Sequence, residues 1–296
     1  MPESEAPRIK IKPDVCVSCG ACVALCLAKV YEQFDNDVKP VRPQRCFVCG
    51  HCVAACPTDA IDHERFPLDQ CLLIDSDVLP SLEGLIAAFR ERRSARVFKD
   101  ESIPRETIET LLDVSRWAPS ASNQQPVDWL VIDDQKRIAE LSKGVLDVLG
   151  RLAALARNPL LRPLLRLIGG KELARQARKA SSDLEEARKR QSAGEDPILY
   201  HAPVLLVAHV PKSDRFGRDD AAYAAYNVML AAQRLGLGTC QIGFLQFALS
   251  LSRRLRKSLH LPSGRKPEIA LILGVPKYPL RRAVPRRKPE ITWNGR

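Results

Sequence analysis

Apolar residues directly after residue 80 are spaced as they are on one face of a helix. They recur at i, i+3, i+4 and i+7 in Leu82, Leu85, Ile86 and Phe89, which predicts an amphipathic helix. A second helix is predicted from Ser102 to Trp117, because Ser102 is a good N-cap and Pro104 suits a first helical turn. Pro119 ends this second pattern, since proline interrupts a helix.

Two later segments are predicted to be strands, "VDWLVID" at 127–133 and the apolar "PVLLVAHV" at 203–210. Residues 145–203 lie mainly between them and have a helical pattern that prolines and a glycine pair interrupt. The part "NPLLRPLLRLI" at 158–168 is apolar with spaced arginines. Three interpretations stay open for it: a lid over a binding pocket, an amphipathic stretch on a membrane surface, or a pair of helices that packs a dimer.

Residues 66–80, "FPLDQCLLIDSDVLP", are predicted to be a linker, because prolines bracket the segment and cysteines become rare after it. A chain of 296 residues is long enough for two domains. We therefore expect a first domain at 1–65 and a second at 81–296, with a helical insertion at about 145–200 in the second.

The composition is that of a globular protein, with 45% hydrophobic and 27% charged residues. The sequence contains no apolar run long enough for a membrane span and no signal-peptide pattern at its polar N-terminus, "MPESEAPRIKIKPD". These features predict a cytoplasmic protein without a membrane partner. A reducing compartment favours metal binding over disulfides as the role of its ten cysteines.

The formal net charge of +11 is the feature that would suggest nucleic acid. Cysteines that bind metal do so as thiolates, and their negative charge would lower it. The basic residues are also scattered, and no aromatic-interleaved stripe or helix-turn-helix pattern accompanies them. We therefore expect no nucleic-acid partner.

Eight of the cysteines form two identical patterns, C-x2-C-x2-C-x3-C, in "CVSCGACVALC" and "CFVCGHCVAAC". A [4Fe–4S] cluster needs four thiolates, and in two-cluster proteins the last cysteine of each run binds the other cluster. One predicted ligand set is Cys16, Cys19, Cys22 and Cys56, and the other is Cys46, Cys49, Cys52 and Cys26. Gly20 and Gly50 stand where the backbone passes close to each cluster. Structural zinc is the alternative, but zinc sites do not usually need two triple-cysteine runs.

Residues 8–65 resemble a bacterial two-cluster ferredoxin, including the ending "CPTDAI". Pro57 follows Cys56 as in that family, whereas Leu27 after Cys26 departs from it. His51 inside the second run is expected to be a loop residue beside the cluster. Cys71, outside both runs, is expected to be an ordinary small buried residue.

Two polar features stand out in the second domain. The end of the first helix is crowded with arginines, Arg90, Arg92, Arg93 and Arg96, which favours either a bound anion or simply a solvated helix end. The segment "PSASNQQP" at 119–126 is dense in side-chain amides and hydroxyls, which suit the edge of a heterocycle but also an ordinary turn.

Four motifs in order resemble the nitroreductase family of FMN enzymes: "RRSARVF", "PSASNQQP", "AAYAAYNVMLAAQRLGLGTCQIGF" and "EIALILGVPKYPLRRAVPRRKP". The resemblance covers about residues 80–296, apart from the insertion. It implies an α+β fold with a mixed sheet wrapped by helices, preceded here by the small ferredoxin-like domain. It also implies a homodimer with FMN at the subunit interface.

The resemblance assigns roles toward FMN to particular residues. Arg92, Arg93 and Ser94 would bind the phosphate and ribityl chain, and Arg96 would face the pyrimidine edge of the ring as the catalytic charge. Ser120, Asn123 and Gln125 would reach the ring from the partner chain. The turn against the flavin would contain Gly238, Thr239, Gln241 and Gly243. The phosphate site would be completed by Arg286, with Arg287 or Lys288.

Several other residues bear on the resemblance to the nitroreductase family. Val127 replaces the aromatic residue that is common after this proline in the family. "GLGTCQ" begins like a dinucleotide fingerprint but lacks its third glycine and follows a helix. NAD(P)H stays a possible donor, because nitroreductases bind nicotinamide by stacking on the flavin. Tyr200 and His201 are candidate proton donors, although a structural role is favoured.

The hypothesis from the sequence is an iron–sulfur flavoprotein that passes electrons between two [4Fe–4S] clusters and FMN. Its acceptor would be a small nitroaromatic, quinone, activated alkene or halogenated aromatic, and a ferredoxin is a further candidate redox partner. An electron-transfer or redox-sensing protein without an organic substrate is the alternative. A module that binds nucleic acid or a protein partner and uses its clusters structurally is a third possibility.

Overall fold

The computed structural model describes residues 6–35, 37–157 and 183–295. They form two compact units, which we describe separately. Unit 1 comprises Met1–Pro80 and Ser120–Gln125, and unit 2 comprises Ser81–Pro119 and Pro126–Arg296. The apolar segment at 158–168 lies outside the described residues, and so does the choice among lid, membrane-surface stretch and dimer-packing helices.

Unit 1 contains two short antiparallel sheets and two short helices. Strand β1 (Ile9–Ile11) pairs with β4 (Ile61–His63), and β2 (Tyr31–Phe34) pairs with β3 (Asp37–Pro40). Helices α1 (Ala21–Leu25) and α2 (His51–Ala54) each lie within one cysteine run. The buried apolar core has six members: Ile9, Val30, Tyr31, Val38, Val53 and Ile61. Because this core is small, the cysteine side chains contribute to the packing, and five of the eight cysteines pack against it.

The glycine in each run precedes its helix in a left-handed conformation. Gly20 has φ 72° and Gly50 has φ 78°. Residues with a side chain adopt these angles only with strain, so glycine lets the chain turn without strain from the second cysteine into the helix that carries the third.

Unit 2 is built on a four-stranded sheet in the order β5-β6-β8-β7. The strands are β5 (Asp128–Ile132), β6 (Val204–Pro211), β7 (Gly238–Gln241) and β8 (Arg265–Gly274). Every pair in this sheet is antiparallel, and one isolated bridge, Ser94 to Thr239, adds a parallel contact. Both segments predicted as strands, β5 and β6, are confirmed.

Helices cover both faces of this sheet. They are α3 (Leu82–Glu91), α4 (Arg105–Ser115), α5 (Gln135–Arg157), α6 (183–192), α7 (Gly217–Arg234), α8 (Gly243–Leu251) and α9 (Arg253–Ser258). Alternate residues of β6 point to opposite faces: Leu205 and Val207 pack with α5, α8 and α9, whereas Leu206 and Ala208 pack with α4 and α7. This arrangement agrees with the predicted α+β class.

The predicted helix boundaries needed one correction. The helix placed at Ser102–Trp117 begins at Arg105, with Pro104 at its N-cap, and ends at Ser115. The proline therefore stands just before the helix instead of inside its first turn. The amphipathic helix predicted after residue 80 is confirmed as α3, which Ser81 caps by accepting the N–H of Gly84.

Candidate functional site

The eight cysteines of the two runs surround two separate cavities in unit 1. We call the first site A, which is lined by Cys16, Cys19, Cys22 and Cys56. We call the second site B, which is lined by Cys26, Cys46, Cys49 and Cys52. Each cavity therefore takes three cysteines from one run and its fourth from the other, the grouping that the spacing predicts. Their role as metal ligands stays a prediction.

Backbone N–H groups donate to several of these sulfurs. The Val30 N–H lies 3.3 Å from Cys26 Sγ, and the Ala60 N–H lies 3.2 Å from Cys56 Sγ. These two bonds occupy equivalent places, four residues after the last cysteine of each run. A third runs from the Val48 N–H to Cys46 Sγ at 3.4 Å. Donors aimed at sulfur stabilise the thiolate, which is the form that binds metal.

The protein alone does not favour thiolates at every position. Burial raises the pKa of the thiols of Cys22, Cys46 and Cys52. Burial acts in the same direction on Cys56, but backbone N–H groups of Thr58 and Ala60 outweigh it and lower its pKa. Three half-buried thiols that resist ionisation fit a site where metal cations supply the compensating charge and displace the protons.

The geometry also bears on the kind of group that fits. In the described part of the chain, no three Cys, His, Asp or Glu side chains converge closely enough to hold one metal ion. The four thiols of each site instead surround a cavity. Thiolates are soft ligands that select iron–sulfur clusters among a few metal groups, so this donor set fits a [4Fe–4S] cluster.

Two residues near site B were not identified from the sequence. His63, at the end of β4, and Tyr31, at the start of β2, both line its cavity and are almost fully buried. The only sequence signal was a histidine shortly after the last cysteine run. His51 lies on α2 and also lines site B with an exposed side chain. Cys71 was expected to be buried, but it is exposed because its turn lies outside the small core, and its Sγ lies 3.4 Å from the Pro67 carbonyl.

In unit 2, the predicted phosphate-binding segment lies beside β7. Ser94 forms a parallel bridge with Thr239, and the Ala95 N–H donates to the Thr239 carbonyl at 2.9 Å. A Cβ on Gly238 would lie 2.5 Å from Ala95 Cβ and 2.8 Å from Pro276 Cγ. The glycine therefore permits the close approach of three backbone segments.

The prediction of a turn at Gly238, Thr239 and Gln241 was wrong, because these residues form strand β7. The turn is made earlier, by Gly236 with φ 72°. Gly243 follows β7 as the first residue of α8, which has no side-chain cap. A Cβ there would meet no atom within 4 Å.

The arginines at the end of α3 are not neutralised by neighbouring acids. Arg90, Arg92, Arg93 and Arg96 make no ion pair with any residue in 6–35, 37–157 or 183–295, and Glu91 pairs with Arg234 instead. A helix N-terminus without a cap, α8, follows the strand that this segment accompanies. Unpaired guanidinium groups and free helical N–H groups both fit the phosphate and the carbonyl edge of a flavin.

Ser120, Asn123 and Gln125 belong to unit 1 by their contacts. Asn123 Nδ2 donates to the Val48 carbonyl at 2.9 Å, and Gln125 Nε2 donates to Asn123 Oδ1 at 3.2 Å. The Gln125 N–H donates to Ser120 Oγ at 2.9 Å. Asn123 and Gln125 have positive φ angles of 52° and 47°. The amides thus form a closed local network, and their role toward a flavin stays a prediction.

Arg286 and Arg287 lie in the C-terminal arm at 279–295, which has no regular secondary structure and is exposed. Arg287 pairs with Glu290 of the same arm at 3.3 Å. The predicted completion of the phosphate site by these arginines stays a prediction.

A groove of about 680 Å³ opens beside Arg96 and is lined in part by Tyr200 and His201. Both have left-handed backbones, with φ 58° and 50°. The buried Asp196 carboxylate organises this turn by accepting the N–H groups of Ile198, Leu199 and His201 and the Ser142 hydroxyl. Asp196 was not identified from the sequence. Its hydrogen bonds show a structural function for the backbone of Tyr200 and His201.

Among the described residues, every helix is too short or too polar to span a bilayer.

Two family models match separate parts of this chain. The nitroreductase family model matches residues 89–275, and a 4Fe-4S dicluster domain model matches residues 8–57. A 4-nitrobenzoate reductase of Nocardioides sp. is 28% identical, over 66% of this chain and 82% of its own. A chloronitrobenzene nitroreductase of Comamonas testosteroni is 26% identical, over 66% and 86%.

Solved structures show the same fold at low identity. A nitroreductase with bound FMN from Desulfitobacterium hafniense has a TM-score of 0.53 at 20% identity, covering 71% of this chain and 97% of its own. An oxidised iodotyrosine deiodinase bound to FMN and 3-iodo-L-tyrosine has a TM-score of 0.51 at 24% identity, covering 71% and 99%. The chain therefore belongs to the nitroreductase family, whose members are FMN-dependent oxidoreductases, and it carries a 4Fe-4S dicluster domain before that family's domain.

Proposed function

We propose that this protein is an iron–sulfur flavoprotein oxidoreductase that holds two [4Fe–4S] clusters in unit 1 and FMN in unit 2. The observation that carries the proposal is the pair of cavities, each lined by four thiols, in a chain of the nitroreductase family. The clusters would transfer single electrons, and FMN would convert them into a hydride equivalent for an organic acceptor.

In this proposal, the chain's own residues bind and orient the flavin. Arg92, Arg93 and Ser94 hold the phosphate and ribityl chain, beside β7 and the uncapped N-terminus of α8. Gly238 allows the segment to approach β7 and Gly243 leaves room for a ring against the backbone. Arg96 would place a positive charge at the pyrimidine edge of a bound flavin, where it would favour the negatively charged form of the ring. Arg96 is thus the proposed catalytic residue.

The remaining predicted FMN residues would complete the site in a homodimer. Ser120, Asn123 and Gln125 would reach the ring of the partner's flavin, and Arg286 or Arg287 would reach the phosphate. The C-terminal arm supports a dimer, because its apolar side chains are exposed in one chain, including Trp293 at 85%. Burying such residues against a second copy would remove apolar area from water. Light scattering of the purified holoprotein should give twice the chain mass.

The proposed acceptor is a small nitroaromatic. The relatives named above include reductases of 4-nitrobenzoate and chloronitrobenzene. Quinones, activated alkenes and halogenated aromatics are the further classes to test. The electron donor is either NAD(P)H, stacked on the flavin, or a reduced ferredoxin that delivers electrons to unit 1.

Cofactor content is the first test. We expect about eight iron and eight sulfide per chain after anaerobic reconstitution. Cys26→Ser should lose about half of both, because it removes one ligand of site B only. Cys71→Ser is the matched control, since this exposed cysteine lies outside both cavities, and it should keep the full content. Zinc in place of iron and sulfide would contradict the proposal.

Electron flow is the second test. The loaded protein is titrated anaerobically with NADPH, NADH or reduced ferredoxin while the flavin absorbance is followed, and 4-nitrobenzoate is then added. Bleaching by a nicotinamide identifies direct hydride entry, whereas bleaching by ferredoxin alone identifies unit 1 as the entrance. Reoxidation by 4-nitrobenzoate supports the proposed reaction. Failure with every acceptor class would refute it and favour an electron-transfer or redox-sensing protein.

The role of Arg96 is tested by comparing two arginine variants. Arg96→Ala should slow acceptor reduction more than it weakens FMN binding, because the charge acts mainly on the reduced ring. Arg105→Ala also removes one arginine, from the exposed side of α4 where it pairs with Glu109, and should leave turnover unchanged. Equal turnover in wild type and Arg96→Ala would refute the assignment.

A further inference from the structure

Sites A and B differ in the side chains that surround their thiols. The cavity of site B is lined by two buried side chains with polar hydrogens, Tyr31 and His63. The cavity of site A is lined mainly by apolar side chains and by Thr58. The two sites have the same number and spacing of cysteines, so these buried side chains are a difference between them that the described residues show.

His63 is held as a hydrogen-bond donor to a thiol of site B. Its ring is 1% exposed, and Nε2 lies 3.6 Å from Cys46 Sγ. The other ring nitrogen, Nδ1, accepts the Arg65 N–H at 3.1 Å. A neutral imidazole has one protonated nitrogen, so a ring that accepts at Nδ1 carries its proton on Nε2. The pairing of Ile9 with His63 in the β1–β4 sheet and the Phe66 ring at 5.0 Å fix the position of the imidazole.

Tyr31 presents a second polar hydrogen to the same site. Its side chain is 2% exposed, and its hydroxyl oxygen has no hydrogen-bond partner of standard geometry among the described residues. Tyr31 lines the same cavity as Cys52. A buried hydroxyl without another partner fits a sulfur acceptor in the cavity.

Site A has weaker side-chain support. Thr58 Oγ1 lies 4.0 Å from Cys56 Sγ, where either atom can be the donor. Backbone donors reach both sites, through Ala60 at site A and through Val30 and Val48 at site B. The main difference between the described surroundings of the two sites is thus the pair of buried side-chain donors at site B.

We propose that His63 and Tyr31 donate to the Cys46 and Cys52 sulfurs and thereby give the cluster of site B a higher reduction potential than the cluster of site A. A one-electron donor, such as reduced ferredoxin, loses the electron, and one cluster gains it as an added negative charge. Hydrogen bonds to the thiolates stabilise that added charge, so the reduced state of site B is favoured. With both clusters bound, an electron delivered to unit 1 would therefore reside at site B. This inference rests on the proposed loading of two clusters.

The test is a redox titration of the full-length, reconstituted protein, followed by electron paramagnetic resonance at low temperature. Wild type should reduce in two separate steps. His63→Leu should lower the potential of the first step, since loss of one hydrogen bond changes the redox equilibrium by about tenfold, or about 59 mV for one electron. His63→Gln, which keeps an N–H donor, should restore part of the shift. Tyr31→Phe should shift the same step in the same direction.

Thr58→Val is the matched control at site A. It should leave the first step unchanged and move the second only slightly, because its contact is long. If His63→Leu loses a cluster, His63→Gln and Tyr31→Phe decide the question by the same measurement.

The measurements distinguish failure of this inference from failure of the proposed function. Two clusters with unchanged potentials in both Tyr31→Phe and the His63 variants would overturn this inference and leave the proposed function intact. A wild-type protein that cannot hold two clusters, judged by iron and sulfide content, would refute the proposed function and this inference together.

Discussion

The glycine that joins the predicted phosphate-binding segment to the sheet allows a quantitative prediction. In Gly238→Ala, the new Cβ would lie 2.5 Å from Ala95 Cβ and 2.8 Å from Pro276 Cγ. Carbon atoms pack best at about 3.5–4.0 Å. A methyl carbon on the backbone and a proline ring cannot rotate away, so the backbone must move by about 1 Å. The Ala95 N–H bond to the Thr239 carbonyl then weakens.

Overpacking of this kind costs about 1–3 kcal/mol. With a loss of about 2 kcal/mol, the melting temperature of a domain of this size falls by about 4–8 °C. FMN affinity should fall as well, because Arg92, Ser94 and Arg96 belong to the displaced segment. All three tryptophans, Trp117, Trp129 and Trp293, lie in unit 2. Thermal melting of FMN-free protein by tryptophan fluorescence therefore reports on the unit that carries the change.

Gly243→Ala is the matched control, because a Cβ there meets no atom within 4 Å. Its melting temperature should stay within about 2 °C of wild type, since alanine suits a helix. Its FMN affinity, measured by quenching of flavin fluorescence, should fall if the ring lies against this backbone. Wild-type melting in Gly238→Ala, or an equal loss in both variants, would refute the reasoning from close packing.

Two further predictions concern stability. Asp196→Asn should lower the free energy of unfolding in urea by about 1–3 kcal/mol, because buried N–H groups of the turn lose a charged acceptor. Glu195→Gln, on the exposed side of the same turn, should change it by less than about 0.5 kcal/mol. Burial, and then the charge of Arg265, lowers the pKa of His209. Below about pH 6.5 the imidazole therefore binds a proton in the unfolded chain but stays neutral in the folded chain. Stability should therefore fall from pH 6.5 toward that lowered pKa, by at most about 1.4 kcal/mol per pH unit, and the loss between pH 7.5 and 5.5 should be smaller in His209→Asn.

The parts of the structure that follow from local spacing were predictable from the sequence. Three thiols around one cavity follow from a repeat of three residues, and strand β6 follows from an unbroken apolar run. The grouping of Cys56 with the first run was predicted from the known ligand exchange in two-cluster proteins. Spacing alone could not predict it, because Cys56 lies far along the chain from that run.

The parts that depend on distant contacts were not predictable. His63 meets Cys46 because β1 and β4 pair in one particular register. Gly238 suggested a turn, although its small size matters because Ala95 and Pro276 approach it from distant parts of the chain. Asp196 is buried beside Ser142, 54 residues earlier. In each case the residue type was visible, but its neighbours were not.

The exchange of one cysteine between the two runs has a consequence for how unit 1 is assembled. A group bound at site A ties the first half of the unit to Cys56, and a group bound at site B ties the second half to Cys26. The two groups would each crosslink one half of unit 1 to the other, and among the described residues these halves share a core cluster of six buried apolar residues. During synthesis, a chain that has left the ribosome only as far as the first cysteine run has no complete set of four thiols. Binding of a group at site A should therefore wait until Cys56 has been made. Loss of the group at one site should therefore leave the other group bound, but in a unit 1 whose halves are held together less firmly.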